Sequence, residues 1–193
     1  MRGWRLLSAA IVLSLGQVAF LGWMIAGRAT ILRSGTEVLL KVEPVDPRDL
    51  LRGDYVSLNY EITNIPTSII TNIREGASAT EAGPIFVRLH REDDGFWRAG
   101  SASLDVPASA PPGPDEADIK GEVVPGWSLS AGGSVRARYG IERFYLPEGE
   151  GRAIEKDMRV RPFALRVMIA EDGAAQIKAL VDEGRTLFEE PLY

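Results

Sequence analysis

Residues 55–62, Tyr-Val-Ser-Leu-Asn-Tyr-Glu-Ile, decide the class of the fold. Val56, Leu58, Tyr60 and Ile62 alternate with Tyr55, Ser57, Asn59 and Glu61, the period of two that a half-buried strand requires. The first set is the candidate core face. Just upstream, Asp46-Pro47-Arg48-Asp49-Leu50-Leu51-Arg52-Gly53-Asp54 spells one helical turn. Asp46 stands as N-cap, Pro47 as first helical residue, Asp49 as the carboxylate that reaches back, and Gly53 as the exit.

Outward from this segment the chain continues to read as strands. Thr36–Glu43 has an apolar, β-branched centre and stops at Pro44. Pro84–Arg91 and Phe96–Leu104 flank Asp94-Gly95, and Pro162–Ala170 and Ala174–Val181 flank Asp172-Gly173, two hairpin signals of the same kind. Glu183-Gly184 turns the chain into Thr186-Leu187-Phe188. Pro66–Glu75 reads as a short helix or loop, Pro147–Met158 as a turn or two of helix, and Val106–Asp118, with four prolines, as a surface loop. The expected fold is mostly β (a β-rich α+β chain): one antiparallel-sheet domain over 36–193 with short helical turns. Sandwich, barrel and open sheet are equally compatible with that order.

The N-terminus is different. Leu6 to Gly27 is a run of 22 residues without a charge, about 33 Å as a helix against a hydrocarbon core of about 30 Å. Gln17 is its one strongly polar side chain, and Trp4 and Trp23 lie near its ends. Such a run exceeds the roughly 7–15 apolar residues of a signal peptide, and Gly27-Arg28-Ala29 is a poor cleavage site, so an uncleaved anchor is the reading. Residues 1–28 form the tail and transmembrane anchor, and 29–35 a short stalk ended by Gly35. Residues 1–28 carry three bases and no acid, whereas the remainder carries 19 bases and 27 acids. The basic tail favours the inside and the acidic body the outside of a cytoplasmic (inner) membrane, although Arg28, Arg33 and Lys41 nearly balance Arg2 and Arg5. Lipid is the expected partner of residues 6–27. An acidic body excludes nucleic acid.

Residues 53–60, Gly-Asp-Tyr-Val-Ser-Leu-Asn-Tyr, fit the pattern G-D-Y-x-x-L-x-Y at every specified position. On Gly53, Asp54, Tyr55, Leu58 and Tyr60 the chain resembles the GDYXXLXY proteins, a family of bacterial membrane-anchored proteins without an assigned activity. Tyr139-Gly140-Ile141-Glu142-Arg143-Phe144-Tyr145-Leu146-Pro147-Glu148-Gly149, and Asp172-Gly173-Ala174-Ala175, resemble the family too. The resemblance implies a membrane partner, since relatives are joined to or encoded beside multi-span membrane proteins. It implies no reaction and no catalytic residue. Within the motif, Leu58 and Tyr60 belong with the core face, and Gly53 is a backbone requirement. Any contact falls on the polar face, Tyr55, Ser57 and Asn59, and on the basic-aromatic strand carrying Arg143 and Tyr145.

Enzyme readings fare worse. Cysteine is absent and His90 is the single histidine, which excludes thiol nucleophiles, iron–sulfur clusters and multi-histidine metal sites. No cofactor is expected. A Gly-Asp opening a strand also occurs in membrane-bound Ser/Lys peptidases, but Thr36–Tyr55 contains no serine to act as nucleophile. Glu92-Asp93-Asp94 lies at a hairpin tip without the ligand spacing of a calcium loop. Glu142, Glu148, Glu150 and Glu155 offer carboxylates for a membrane-tethered hydrolase, the alternative to a non-catalytic accessory or binding module.

Overall fold

The computed structural model describes residues 2–43, 55–73, 83–125, 133–145 and 163–191. The expected turn over 46–53, including Gly53, and Asp54 lie outside them, as does the helical turn expected over 147–158. Among the described residues one α-helix, α1 (Arg2–Ser34), precedes twelve strands. In chain order these are β1 (Thr36–Glu43), β2 (Tyr55–Ser57), β3 (Asn59–Tyr60), β4 (Asn64–Pro66), β5 (Pro84–Arg91), β6 (Trp97–Leu104), β7 (Glu116–Val123), β8 (Ser134–Arg138), β9 (Arg143–Tyr145), β10 (Phe163–Ile169), β11 (Ala175–Asp182) and β12 (Arg185–Glu189).

Two five-stranded sheets result, ordered β12-β11-β10-β1-β3 and β4-β8-β7-β5-β6, with β2 and β9 forming a separate ribbon. Every strand pairing is antiparallel. Val38, Leu40, Leu165, Val167 and Leu180 of the first sheet share one hydrophobic cluster with Ile85, Val87, Leu89, Ile119 and Val135 of the second. The mostly-β expectation therefore holds, and the architecture left open by sequence is two sheets on one core.

Both hairpins use the same local chemistry. Asp94 Oδ1 accepts the Phe96 N–H at 3.0 Å, and Asp172 Oδ1 accepts the Ala174 N–H at 3.0 Å. Each following glycine takes positive φ, 82° at Gly95 and 84° at Gly173. The second hairpin also ties the sheets together, because the Lys120 N–H on β7 donates to the Gly173 carbonyl at 2.9 Å.

Two expectations need correction. Tyr55–Ile62 is not one strand: β2 pairs with β9, β3 pairs with β1, and Glu61–Thr63 is a 3₁₀ turn. The alternation is real, with Leu58, Tyr60 and Ile62 all buried, but period two carries no information about which neighbour each half pairs with. The loop expected over 106–118 ends earlier, since β7 begins at Glu116. The segment after Pro66, expected as a short helix or loop, holds a 3₁₀ turn, Thr67–Ile69, before Ile70–Asn72 lies along β6.

α1 is long and apolar enough to cross a membrane, and the rest of the chain covers none of its apolar window. A helix that is apolar all round and uncovered suits lipid rather than water. It then enters the domain without a break. Residues 29–34 are its last turns, and Ala29 and Leu32 are buried where α1 meets β10 and β11. Burying a leucine contributes about 1.5–3 kcal/mol, so the segment expected as a stalk is a docked lever. Gly35 ends the helix by close approach. A Cβ there would stand 2.8 Å from the Ile31 carbonyl oxygen and 2.9 Å from that of Ile169.

Gly35→Ala is expected to force this junction apart at a cost of about 1–3 kcal/mol, a fall in Tm of roughly 3–8 °C for a chain of this size. Gly16→Ala and Gly22→Ala, where a Cβ meets nothing within 4 Å, leave Tm within about 1–2 °C, the spread of surface substitutions. Thermal unfolding of the full chain in detergent reads both.

Candidate functional site

The second half of the 53–60 motif and the segment 139–145 are joined by a clasp of backbone and buried phenols. β2 and β9 pair with Tyr55 opposite Tyr145, Val56 opposite Phe144 and Ser57 opposite Arg143. At the next step the Leu58 N–H donates to the Glu142 carbonyl at 2.8 Å. The chain then switches partners. Val42 and Glu43 of β1 face Tyr60 and Asn59, and the Asn59 amide donates to Glu43 Oε2 at 3.3 Å.

Tyr60 is wholly buried, and its hydroxyl donates to the Ile141 carbonyl. Tyr139, also buried, returns the gesture, its hydroxyl donating to the Ile62 carbonyl at 2.7 Å. Each ring thus fills core volume while its polar tip satisfies a carbonyl that the strand switch leaves without a ladder partner. The Glu142 carboxylate accepts from the Tyr139 N–H. The Tyr60 N–H donates to Thr63 Oγ1 at 3.1 Å, closing the 3₁₀ turn. Beneath Tyr139 lies Gly121 of β7, where a Cβ would come within 2.8 Å of the ring. Burial, and after it the nearby Glu142 charge, push both phenols above the usual tyrosine value.

The expected contact residues are thereby sorted. Register brings Tyr55 beside Tyr145 and Ser57 beside Arg143. Phe144, between Arg143 and Tyr145 on β9, is buried, whereas Tyr145 is 65% exposed. Asn59 lies beyond the switch, in a different sheet, occupied with Glu43. Sequence reasoning quoted Tyr139 and Glu142 without assigning the phenol a partner. The available signal was the spacing Tyr139-x-x-Glu142, in which a carboxylate reaches back three residues to a backbone N–H, as at a helix cap.

The acidic and polar clusters have structural partners. Asp94 is held below the usual carboxylate range first by Arg98, whose Nη2 donates to Oδ2 at 2.7 Å, and then by the Phe96 N–H. His90 Nε2 lies 2.7 Å from Glu92 Oε1. Among the described residues no group of three His, Cys, Asp or Glu is placed to hold a metal ion.

A cleft of about 410 Å³ opens on the outer side of β5–β7, between Thr71, Phe86, Arg88, Ser101, Asp118 and the proline-rich loop. Glycoside hydrolysis needs two carboxyl groups about 5–9.5 Å apart across a substrate. Among the described residues this cleft has one carboxylate in its lining, Asp118, and both of its oxygens accept Arg88 N–H groups at 2.8 Å. That bond raises the guanidinium of Arg88 further above its basic range. Glu142 is spent on the clasp, and Glu148, Glu150 and Glu155 lie outside the described residues.

A family model, that of the GDYXXLXY protein, matches residues 17–180, so this chain belongs to that family. No curated protein and no solved structure matches it.

Replacing either buried phenol, Tyr60→Phe or Tyr139→Phe, strands a buried carbonyl and is expected to cost about 1–3 kcal/mol in denaturant unfolding. The pH dependence has a definite sign. The folded state holds both protons above the ordinary tyrosine value of 10.0. The unfolded chain therefore binds fewer protons than the folded one in alkali. The stabilisation is fully present below pH ~10 and falls by up to about 1.4 kcal/mol per tyrosine for each pH unit above it. Each Phe variant is expected to flatten the alkaline limb of the stability profile; an unchanged limb in both variants contradicts the assignment.

Proposed function

We propose that this GDYXXLXY protein is a non-catalytic accessory module, anchored by a single pass in the inner membrane, whose extracytoplasmic domain binds a multi-span membrane neighbour. The observation that carries this reading is Tyr145, an aromatic side chain 65% exposed on a strand whose adjoining residue, Phe144, is buried. Tyrosine and arginine are the residue types that concentrate binding energy at interfaces, and a tyrosine costs little conformational entropy to immobilise. Here Arg143 lies two residues away on the same short strand, with Ser57 and Tyr55 as their cross-strand partners.

The anchor supports the same reading. Ala29, two residues past the end of the uncharged run, is already buried against the domain. A domain seated this close to the lipid meets membrane neighbours at an effective concentration far above that of a diffusing protein. The basic tail and acidic body favour the extracytoplasmic side.

Co-purification of the full chain in mild detergent, compared with its Tyr145→Ala and Arg143→Ala variants, tests the proposal. The wild type is expected to bring down a membrane protein in defined stoichiometry. Each variant should lose about tenfold in capture, the scale of a hot-spot truncation of about 1.4 kcal/mol, while still unfolding in one cooperative transition. Equal capture by all three chains, or a wild type that purifies without any companion, contradicts it.

A further inference from the structure

The apolar helix carries two polar side chains that its own chain leaves unserved. Ser8, Thr30 and Ser34 each donate a hydroxyl to the carbonyl four residues earlier, at 3.0, 2.8 and 2.8 Å. Ser14 and Gln17 make no such bond, nor any side-chain bond to another described residue. Both are exposed. Gln17 also lies beside the midpoint of the run 6–27, which falls between Gly16 and Gln17. A primary amide in hydrocarbon without a partner costs several kcal/mol, and an amide or hydroxyl on a neighbouring helix relieves that cost.

We infer that α1 pairs in the membrane with α1 of a second copy of this chain, in parallel, with Gln17 bonded to Gln17 of that copy. The inference rests on the anchor reading above and adds to it. An amide is donor and acceptor at once, so two copies related by a two-fold axis satisfy each other. Identical anchors in one orientation hold Gln17 at the same depth in both, a match that an unrelated helix meets only by coincidence of sequence.

The surrounding residues fit a seam. Ala10, Leu13, Gln17, Phe20 and Met24 follow the alternating three-and-four spacing of a left-handed helix pair, in which one polar residue fixes register. Ala10 on the seam and Ser14 beside Gln17 are small enough for close approach. The buried positions Ala29 and Leu32 centre roughly 90° around the helix from Gln17 at about 100° per residue, so the docked domain leaves the seam open.

The chain contains no cysteine, which allows disulfide scanning of the full-length protein in native membranes. Ala10→Cys, Leu13→Cys and Met24→Cys lie on the seam; Val12→Cys, Leu15→Cys and Ala19→Cys face away. After mild oxidation at low expression, seam positions are expected to give at least about fivefold more product at twice the 21.1 kDa monomer than the others. Adding Gln17→Leu should cut that yield about tenfold and Gln17→Asn should retain it, on the scale of an interhelical polar bond. Equal yields on both faces, insensitivity to Gln17→Leu, or a product of another mass each overturn the inference. Carbonate washing separates the two failures. Protein released from the pellet defeats the anchor and the pairing together, whereas pelleted protein without the seam pattern defeats the pairing alone.

Discussion

Two phenols crossing between the same pair of segments hold in place the stretch where the chain changes strand partners. Residues 55–63 leave one sheet for another in the space of a single residue, Leu58, and a backbone that changes partners strands its carbonyls. Tyr60 and Tyr139 resolve that problem reciprocally, each donating to a carbonyl on the other's segment. The β2–β9 ribbon depends on this arrangement. Three residues per strand are too few for an independent hairpin, so the ribbon's geometry is borrowed from the buried rings beside it.

The described part of the family's motif is explained in the same terms. Leu58 supplies core at the switch point, and Tyr60 supplies core and a hydrogen bond in one side chain. These are structural tasks, and they need these residue types in this order. Leu58 falls where the backbone bonds across to Glu142, and Tyr60 two residues later returns to the same face. A second rigid feature, the helix end wedged at Gly35 against Ile169, fixes the domain to α1. Exposed Tyr145 on β9 thus lies next to buried Phe144, in a domain against which the end of α1 is packed.

Legibility in the sequence followed the locality of the physics. β1 and β5 begin and end where apolar alternation and flanking prolines or glycines put them. The Asp-Gly hairpins are legible because the aspartate and glycine act on backbone within two residues of themselves. β4 and β8 are not, since each is short and the pairing that joins them, Ile65 opposite Val135 at its centre, links residues 70 positions apart. The division of Tyr55–Ile62 was hidden for a related reason: both halves keep the same alternation. The clasp is a relation between residues 77 and 81 positions apart, which no window of single-sequence pattern spans. The docked end of α1 was equally silent, because Ala29 and Leu32 stand in a six-residue tail of the helix, less than two turns and too short for a periodic signal to mark a buried side.

A double-mutant cycle on Tyr60→Phe and Tyr139→Phe, followed by denaturant unfolding of the full chain, tests most directly whether the two segments act as one unit. If they do, the first substitution already loosens the pair, the second costs less than it does alone, and the coupling reaches about 0.5–3 kcal/mol. Additivity within about 0.3 kcal/mol would mean that each phenol merely fills its own site, and would contradict the account.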